Sequence, residues 1–254
     1  MTDMRPNERL EDLNLDGLMI MQDPNAFRFG IDAVLLSHYA LPACKRRSKI
    51  MDLCTGTGVI PLLIYGHHHC EHIDGMEIQP AMADLAQRNV RLNGLENFIH
   101  IYNSDLRDPG AAFHSSTYDV ITCNPPYMPL SRGMQSPSDP LAIARHEITC
   151  TITDVAAFAR IYLKDKGKLY LVHRADRLID IAAALREKQI EIKRIRFVYP
   201  YAGKPANLVL IEAMKKGQPA AIIEPPLYVY NADGSYTDEI NEIYGTEGPQ
   251  AKDI

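Results

Sequence analysis

No apolar run in this 254-residue sequence approaches the roughly 18 residues that a membrane-spanning helix needs, so no such helix is expected. The first sixteen residues mix Arg5 and Arg9 with Asp3, Glu8, Glu11 and Asp12 and carry no apolar h-region, so no secretory signal is expected either. Cysteine is scarce. Cys44, Cys54, Cys70, Cys123 and Cys150 are odd in number and lack paired metal-ligand spacing. That pattern predicts no metal site and fits a reducing, cytoplasmic setting. There is no internal repeat and no low-complexity tract. What remains is an ordinary globular composition, 46% hydrophobic and 23% charged, long enough for one large domain with decorations and a sizeable core.

The net charge of −5 argues weakly against a nucleic-acid partner, but its distribution argues back. Residues 160–216 hold 14 Lys/Arg against 6 Asp/Glu, a surplus of 8, whereas residues 217–254 hold 1 against 7. A basic face can therefore exist on an acidic protein. A solvated surface has the same composition, so charge alone leaves RNA binding open.

Along the chain, Leu18 to Phe29 reads as a short hairpin turning at Asp23-Pro24-Asn25, and Asp32 as the cap of a helix that Pro42 ends. From Ile50 an alternation begins. Strands are expected at 50–53, 73–78, 98–102, 118–123, 168–172, 192–198 and 208–213, with helices at 59–65, 80–92, 153–163 and 175–188. This pattern implies a seven-stranded, mostly parallel, Rossmann-like α/β sheet covered on both faces. The last two strands are too close in sequence for a helical crossover and should form an antiparallel hairpin at one side. The expected organisation is an N-terminal extension (1–48, hairpin plus helix), a core (49–216) and an acidic C-terminal strap (217–254).

Three features fall at successive strand ends of one crevice. Asp52-Leu53-Cys54-Thr55-Gly56-Thr57-Gly58 joins the first core strand to a helix, and its glycines let backbone approach a ligand closely. The loop has no phosphate-binding lysine, which disfavours a triphosphate. Glu77, 19 residues after Gly58, can accept both hydroxyls of a ribose. Asp105 can accept from an adenine amine. A fourth feature closes the run Tyr118–Cys123: Asn124-Pro125-Pro126-Tyr127. Paired prolines cannot continue a sheet, so the chain must turn out at the strand's carboxyl end, where open α/β sheets bind ligands. The turn offers an amide, a carbonyl and an aromatic ring, which suit a flat, amine-bearing substrate.

These segments resemble the class I S-adenosylmethionine-dependent methyltransferases. Asp52 to Gly58 is similar to their glycine motif, with Cys54 where glycine is more usual. Glu77 and Asp105 match their ribose and adenine acids, and Asn124 to Tyr127 matches the Asn-Pro-Pro-Tyr motif of the amino-group methyltransferases. Segments 27–36, Arg145-His146-Glu147 and Lys204-Pro205-Ala206-Asn207 look like the bacterial tRNA(Val) adenine-N6 methyltransferases. The resemblance implies S-adenosylmethionine as cofactor and S-adenosylhomocysteine as product. It implies cofactor contacts from Asp52, Cys54, Thr55, Gly56, Gly58, Glu77, Ile78, Asp105, Leu106 and Asn124. The catalytic group is then Asn124, Pro125 and Tyr127. It implies an RNA substrate, with tRNA beside the anticodon foremost; Pro126, Arg145 and His146, and from the basic segment Lys193, Arg194 and Arg196, are the candidate substrate contacts. A monomer or weak homodimer is expected.

Several alternatives stay open. The same turn serves protein glutamine N5-methylation and rRNA guanine N2-methylation; the glutamine enzymes carry a larger helical domain in front, whereas about 49 residues precede the first core strand here. A non-catalytic cofactor- or RNA-binding module is the remote reading. Arg145-His146-Glu147 either borders the substrate mouth or forms a salt-bridged turn. Phe27 and Phe29 either roof the cofactor or pack in the core. Tyr199 and Tyr201 either stack on RNA or hinge a loop. His67-His68-His69-Cys70, with His72, reads as a polar loop, because adjacent side chains diverge. Cys123 reads as packing.

Overall fold

The computed structural model describes residues 4–23, 30–126 and 150–245. Expectations for Phe27, Phe29, Tyr127, Arg145, His146 and Glu147 lie outside these residues.

The alternation of apolar runs becomes one sheet. Its strands are β3 (Lys49–Leu53), β4 (His72–Glu77), β5 (Ile99–Asn103), β6 (Tyr118–Cys123), β7 (Leu163–Arg174), β8 (Ile190–Tyr199) and β9 (Leu208–Lys215). Two short strands, β10 (Ile222–Ile223) and β11 (Leu227–Tyr228), both pair with β8. The order is β10-β8-β9-β7-β6-β3-β4-β5. The expected seven strands are all present, and β9 runs antiparallel to both β7 and β8. The hairpin's second strand therefore lies inside the sheet rather than at its rim. Outside it, β10 and β11 pair with the flank of β8, whose backbone groups would otherwise stand open.

Helices α1 (Ile31–Ala40), α2 (Val59–His68) and α3 (Pro80–Leu92) cover one face, and α4 (Ile152–Tyr162) and α5 (Leu178–Glu187) the other. A reciprocal capping box between Thr151 and Asp154 starts α4. The cap of α1 is Gly30, not Asp32; Asp32 sits in the first turn, where its charge complements the helix's positive end. The single helix expected over 175–188 divides into a 3₁₀ turn (Ala175–Arg177) and α5. The last helix, α6 (Asp238–Tyr244), packs Ile240 and Ile243 into the core that α1 and α2 share.

A strand pair not expected from the sequence lies at the N-terminus, while residues 24–29 of the expected hairpin lie outside the described residues. The strand β2 (Met19–Gln22) pairs backwards with β1 (Arg9–Asp12). The turn is made by Asn14, Asp16 and Gly17, all with positive φ (52°, 53° and 69°), and Asn14 N–H donates to Asp12 Oδ1 at 2.8 Å. These are residue types that tolerate the left-handed region, a signal the proline-centred reading passed over.

Asn89 of α3 and Asn93, the cap at its C-terminal end, tie this pair to the core. Asn93 bonds the backbone of Met19, and Asn89, fully buried, accepts from Met21 N–H at 2.7 Å and donates to Met21 O and Thr57 O at 3.0 Å each. Asn89 thus joins the extension to the glycine loop. Beside it, Arg88 donates to Glu8 Oε2 at 2.7 Å and Oε1 at 2.5 Å, a bidentate pair with both side chains almost wholly buried.

Candidate active site

The crevice lies where the sheet's connectivity reverses, between β3 and β6, which pair directly: Leu53 stands opposite Cys123. The chain leaves β3 into Cys54–Gly58 and leaves β6 into Asn124-Pro125-Pro126. The two turns therefore start side by side, at the switch point where such sheets place ligands. Carboxyl ends of β4 and β5 follow in order, bringing Glu77 and the loop to Asp105 alongside.

The glycine loop is left-handed at three positions: Cys54 (φ 56°), Gly56 (φ 55°) and Gly58 (φ 81°). A Cβ at Gly56 would meet nothing within 4 Å, so that glycine serves its backbone angle and leaves open space above the loop. A Cβ at Gly58 would lie 3.4 Å from Ala86 Cβ, marking the close approach of α3. Cys54 holds the same class of conformation with a side chain, at a cost of about 1 kcal/mol. Cys54→Gly should therefore unfold with about 1 kcal/mol more free energy than Cys54→Ala, since both lose the thiol and only glycine relieves the angle. Denaturant melts of the two variants check this; equal stability would show that the loop carries no strain at this position.

Asp52 is fully buried. Its Oδ1 accepts from the Thr122 hydroxyl at 2.7 Å, while its Oδ2 has no hydrogen-bond partner. Burial pushes its carboxyl up to about 7, against the pull of the Thr55 and Thr122 hydroxyls. The buried Thr55 hydroxyl lies close enough to this carboxylate to pull it down but does not reach good hydrogen-bond geometry. A buried carboxylate and a buried hydroxyl that satisfy each other incompletely, at the foot of an open glycine loop, are what a polar, cation-bearing ligand would complete.

Glu77 is 5% exposed and already organises the backbone around it: Oε2 accepts from Gly56 N–H and Oε1 from Gln79 N–H, both at 2.9 Å. Each oxygen keeps a second lone pair for a hydroxyl. Burial raises its carboxyl, and the N–H groups of Gln79, Gly56 and Ile78 oppose the rise. Asn103, which sequence reasoning missed, donates to Glu77 O at 2.8 Å and Ile78 O at 3.0 Å and fixes this strand end. Asp105 is gripped by Arg107, whose Nη2 reaches Oδ2 at 2.6 Å, and this pairing holds its carboxyl below the usual range. Leu106 packs against the core beneath α4 and α5.

Asn124 is half-buried, Pro125 buried and Pro126 exposed. The Cys123 thiol is buried, and burial raises it, so it stays protonated at neutral pH. The Cys54 thiol is likewise raised well above the ordinary range by the neighbouring Cys123 and by burial.

Lys193, Arg194 and Arg196 meet the strap. Lys193 Nζ donates to Gln218 O and Ala220 O at 3.0 and 2.8 Å. Arg194 bonds Glu224 and Glu212 and lies 5.2 Å over the Tyr39 ring. Arg196 bonds Pro225 O at 3.1 Å and Glu239 at 2.6 Å. Part of the basic surplus of this segment thus meets the strap, through Glu224, Glu239 and backbone carbonyls. Tyr199 and Tyr201 pack on the strap's Tyr228 and Tyr230 at 5.5 and 5.2 Å between ring centres.

Comparison with known proteins agrees with this geometry. The family model for the methyltransferase small domain matches residues 28–193. A tRNA1(Val) (adenine(37)-N6)-methyltransferase of Parabacteroides distasonis is 30% identical over 196 residues, 76% of this chain and 79% of that protein. One from Haemophilus influenzae is 26% identical over 229 residues, 88% and 92% of the two chains. Among solved structures, a predicted O-methyltransferase of Agrobacterium tumefaciens superposes with a TM-score of 0.68 at 20% identity, over 88% of this chain and all of that one. TYW2 of Pyrococcus horikoshii, in complex with MeSAdo, superposes at 0.59 with 15% identity, over 84% and 73%.

Proposed function

Because the chain belongs to the methyltransferase small-domain family, we propose that it transfers a methyl group from S-adenosylmethionine to the exocyclic N6 of an adenine in tRNA, beside the anticodon. The observation that carries this reading is the pairing of β3 with β6, which sets Asn124-Pro125-Pro126 next to the glycine loop. The names of the relatives support tRNA as the substrate class.

S-adenosylmethionine, when bound, supplies a methyl group on a positively charged sulfur. Glu77 is assigned the ribose hydroxyls and Asp105 the adenine amine, with Ile78 and Leu106 flanking the ring. Asp52, Thr55 and the backbone at Cys54, Gly56 and Gly58 receive the cationic amino-acid end. An aromatic amine is a weak nucleophile because its lone pair is delocalised into the ring. The Asn124 side-chain carbonyl and the Pro125 carbonyl accept its two N–H groups, which favours a pyramidal nitrogen with an exposed lone pair. Pro126 stiffens the turn, and Tyr127, next in sequence, is assigned to stack on the base. No strong base is required, since the proton leaves after the nitrogen has become cationic. A single-stranded anticodon loop makes extrusion of the target base cheap.

The raised Asp52 carboxyl gives a pH dependence with a definite sign. A cationic ligand favours the ionised form, so affinity for S-adenosylmethionine should rise from about pH 6 to about pH 8 and level off above. Calorimetry across that range, with Asp52→Asn as the flat comparison, checks it. The acceptor is tested by offering labelled S-adenosylmethionine with unmodified tRNA, rRNA or a peptide release factor in parallel. Label in tRNA alone is expected; label in the release factor would move the acceptor to glutamine.

A further inference from the structure

Away from the crevice, β4 and β5 carry a second group of chemistry-bearing side chains. His72 and Asp74 point to the same face of β4, and His100 stands opposite Asp74 in the register of β5. His72 Nε2 lies 3.0 Å from Asp74 Oδ2, and His100 Nδ1 lies 3.7 Å from Asp74 Oδ1. One ligand atom from each of the three falls within 4.8 Å of the other two. Asp74 precedes Glu77 by three residues, about 10 Å along the strand, so the group stands apart from the proposed cofactor pocket.

The hydrogen bonding around Asp74 is incomplete in an informative way. Its side chain is 4% exposed. The Oδ2 atom accepts from the buried Tyr118 hydroxyl at 2.6 Å and is hydrogen-bonded to His72 Nε2 at 3.0 Å, but Oδ1 and the buried His100 Nδ1 beside it have no hydrogen-bond partner. A buried carboxylate oxygen without a donor is costly, and it faces a ring nitrogen that is equally unmet. A cation between them would satisfy both.

We propose that His72, Asp74 and His100 form a site for a divalent transition metal of the zinc type. Two imidazoles and one carboxylate are an established ligand set for zinc. Ligands about 2.0–2.2 Å from a tetrahedral ion lie about 3.3–3.6 Å from each other. Here the 3.0 and 3.7 Å contacts run to different oxygens of Asp74, and one atom from each residue falls within 4.8 Å of the others. Side-chain adjustment of about 1 Å would therefore gather the three around one ion. The two histidines are 37% and 40% exposed at the side chain, so the fourth position opens to solvent. Tyr118 is the outer partner that orients the carboxylate. The ion would clamp β5, at the end of the sheet, to β4 and through Tyr118 to β6, below the strand ends that carry Glu77 and Asp105. The site departs from the expectation of no metal drawn from cysteine and histidine spacing. His72 belongs to it, whereas His67, His68, His69 and Cys70 do not.

The test uses the full chain stripped with chelator and titrated with zinc chloride alone, followed by calorimetry and thermal melting. One zinc per chain with a raised melting temperature is expected, retained when His67, His68 and His69 are all changed to Ala. Tyr118→Phe should weaken binding roughly 10–100-fold, and His100→Ala more than that. Should His100→Ala fail to fold, cobalt in the unaltered chain decides: nitrogen and oxygen ligation gives visible bands without a thiolate charge-transfer band. A thiolate band, no binding, or binding unchanged in His100→Ala would overturn the assignment.

Discussion

Asn124→Ala should lower the rate of methyl transfer by a factor on the order of 10²–10³, while affinity for S-adenosylmethionine changes little. The size follows from the role assigned to the amide carbonyl. It is an acceptor aimed at charge that develops on the nitrogen only as the new bond forms, so its loss falls on the transition state rather than on ground-state binding. Its position makes the effect local. The turn begins at the end of β6, a strand held between β3 and β7, and Pro125 fixes the backbone angle just after it. Removing the amide therefore leaves the frame in place. Single-turnover kinetics with saturating cofactor would read the effect directly. An unchanged rate would remove Asn124 from the mechanism, and a lost rate with lost cofactor binding would assign it to the cofactor instead.

Arg88→Ala should be the most destabilising single change in the N-terminal region. Glu8 and Arg88 meet in a bidentate pair from which water is almost excluded, and Arg88 also bonds Asp84 at 3.0 Å. Deleting the guanidinium strands a buried carboxylate, which costs about 3–5 kcal/mol. For a chain of this length that corresponds to a fall in melting temperature of about 10 °C. A Glu8→Gln/Arg88→Met double variant should recover much of the loss, because neither charge then remains unpaired. Arg88 holds the Glu8 carboxyl below its ordinary 4.5. A depressed carboxyl contributes stability that is fully present above the unfolded value and lost as pH falls through the folded one, so the difference between Arg88→Ala and the unaltered chain should shrink on acidification. Thermal melts at neutral and acid pH measure both effects; a loss below about 1 kcal/mol would mean the pair is not buried in solution.

The sequence made much of this architecture readable because its strands are short apolar runs cut off by strong punctuation. Pro80 and Asn93-Gly94 bound α3, and Pro125-Pro126 ends β6, so those elements fall where expected. The glycine loop and the two acids were legible for the same reason: each sits where a run stops. What escaped notice was non-local. Asn89 looks like an ordinary polar residue within an amphipathic helix, and only the fold brings Met21 and Thr57 to it. Asn103 shows its purpose only beside the end of β4. The basic side chains at 193, 194 and 196 carried no sign that the acidic tail would return along β8 and pair with them. Charge counted along a chain does not say which face it meets.

The central claim is the transfer itself, and nucleoside analysis tests it most directly. The protein would be incubated with S-adenosylmethionine bearing a labelled methyl group and tRNA made without modifications, and the tRNA then digested to nucleosides. The account predicts label in N6-methyladenosine, from a position beside the anticodon, and its loss with Asn124→Ala. Label in any other nucleoside, or none in RNA while the cofactor still binds, would contradict it.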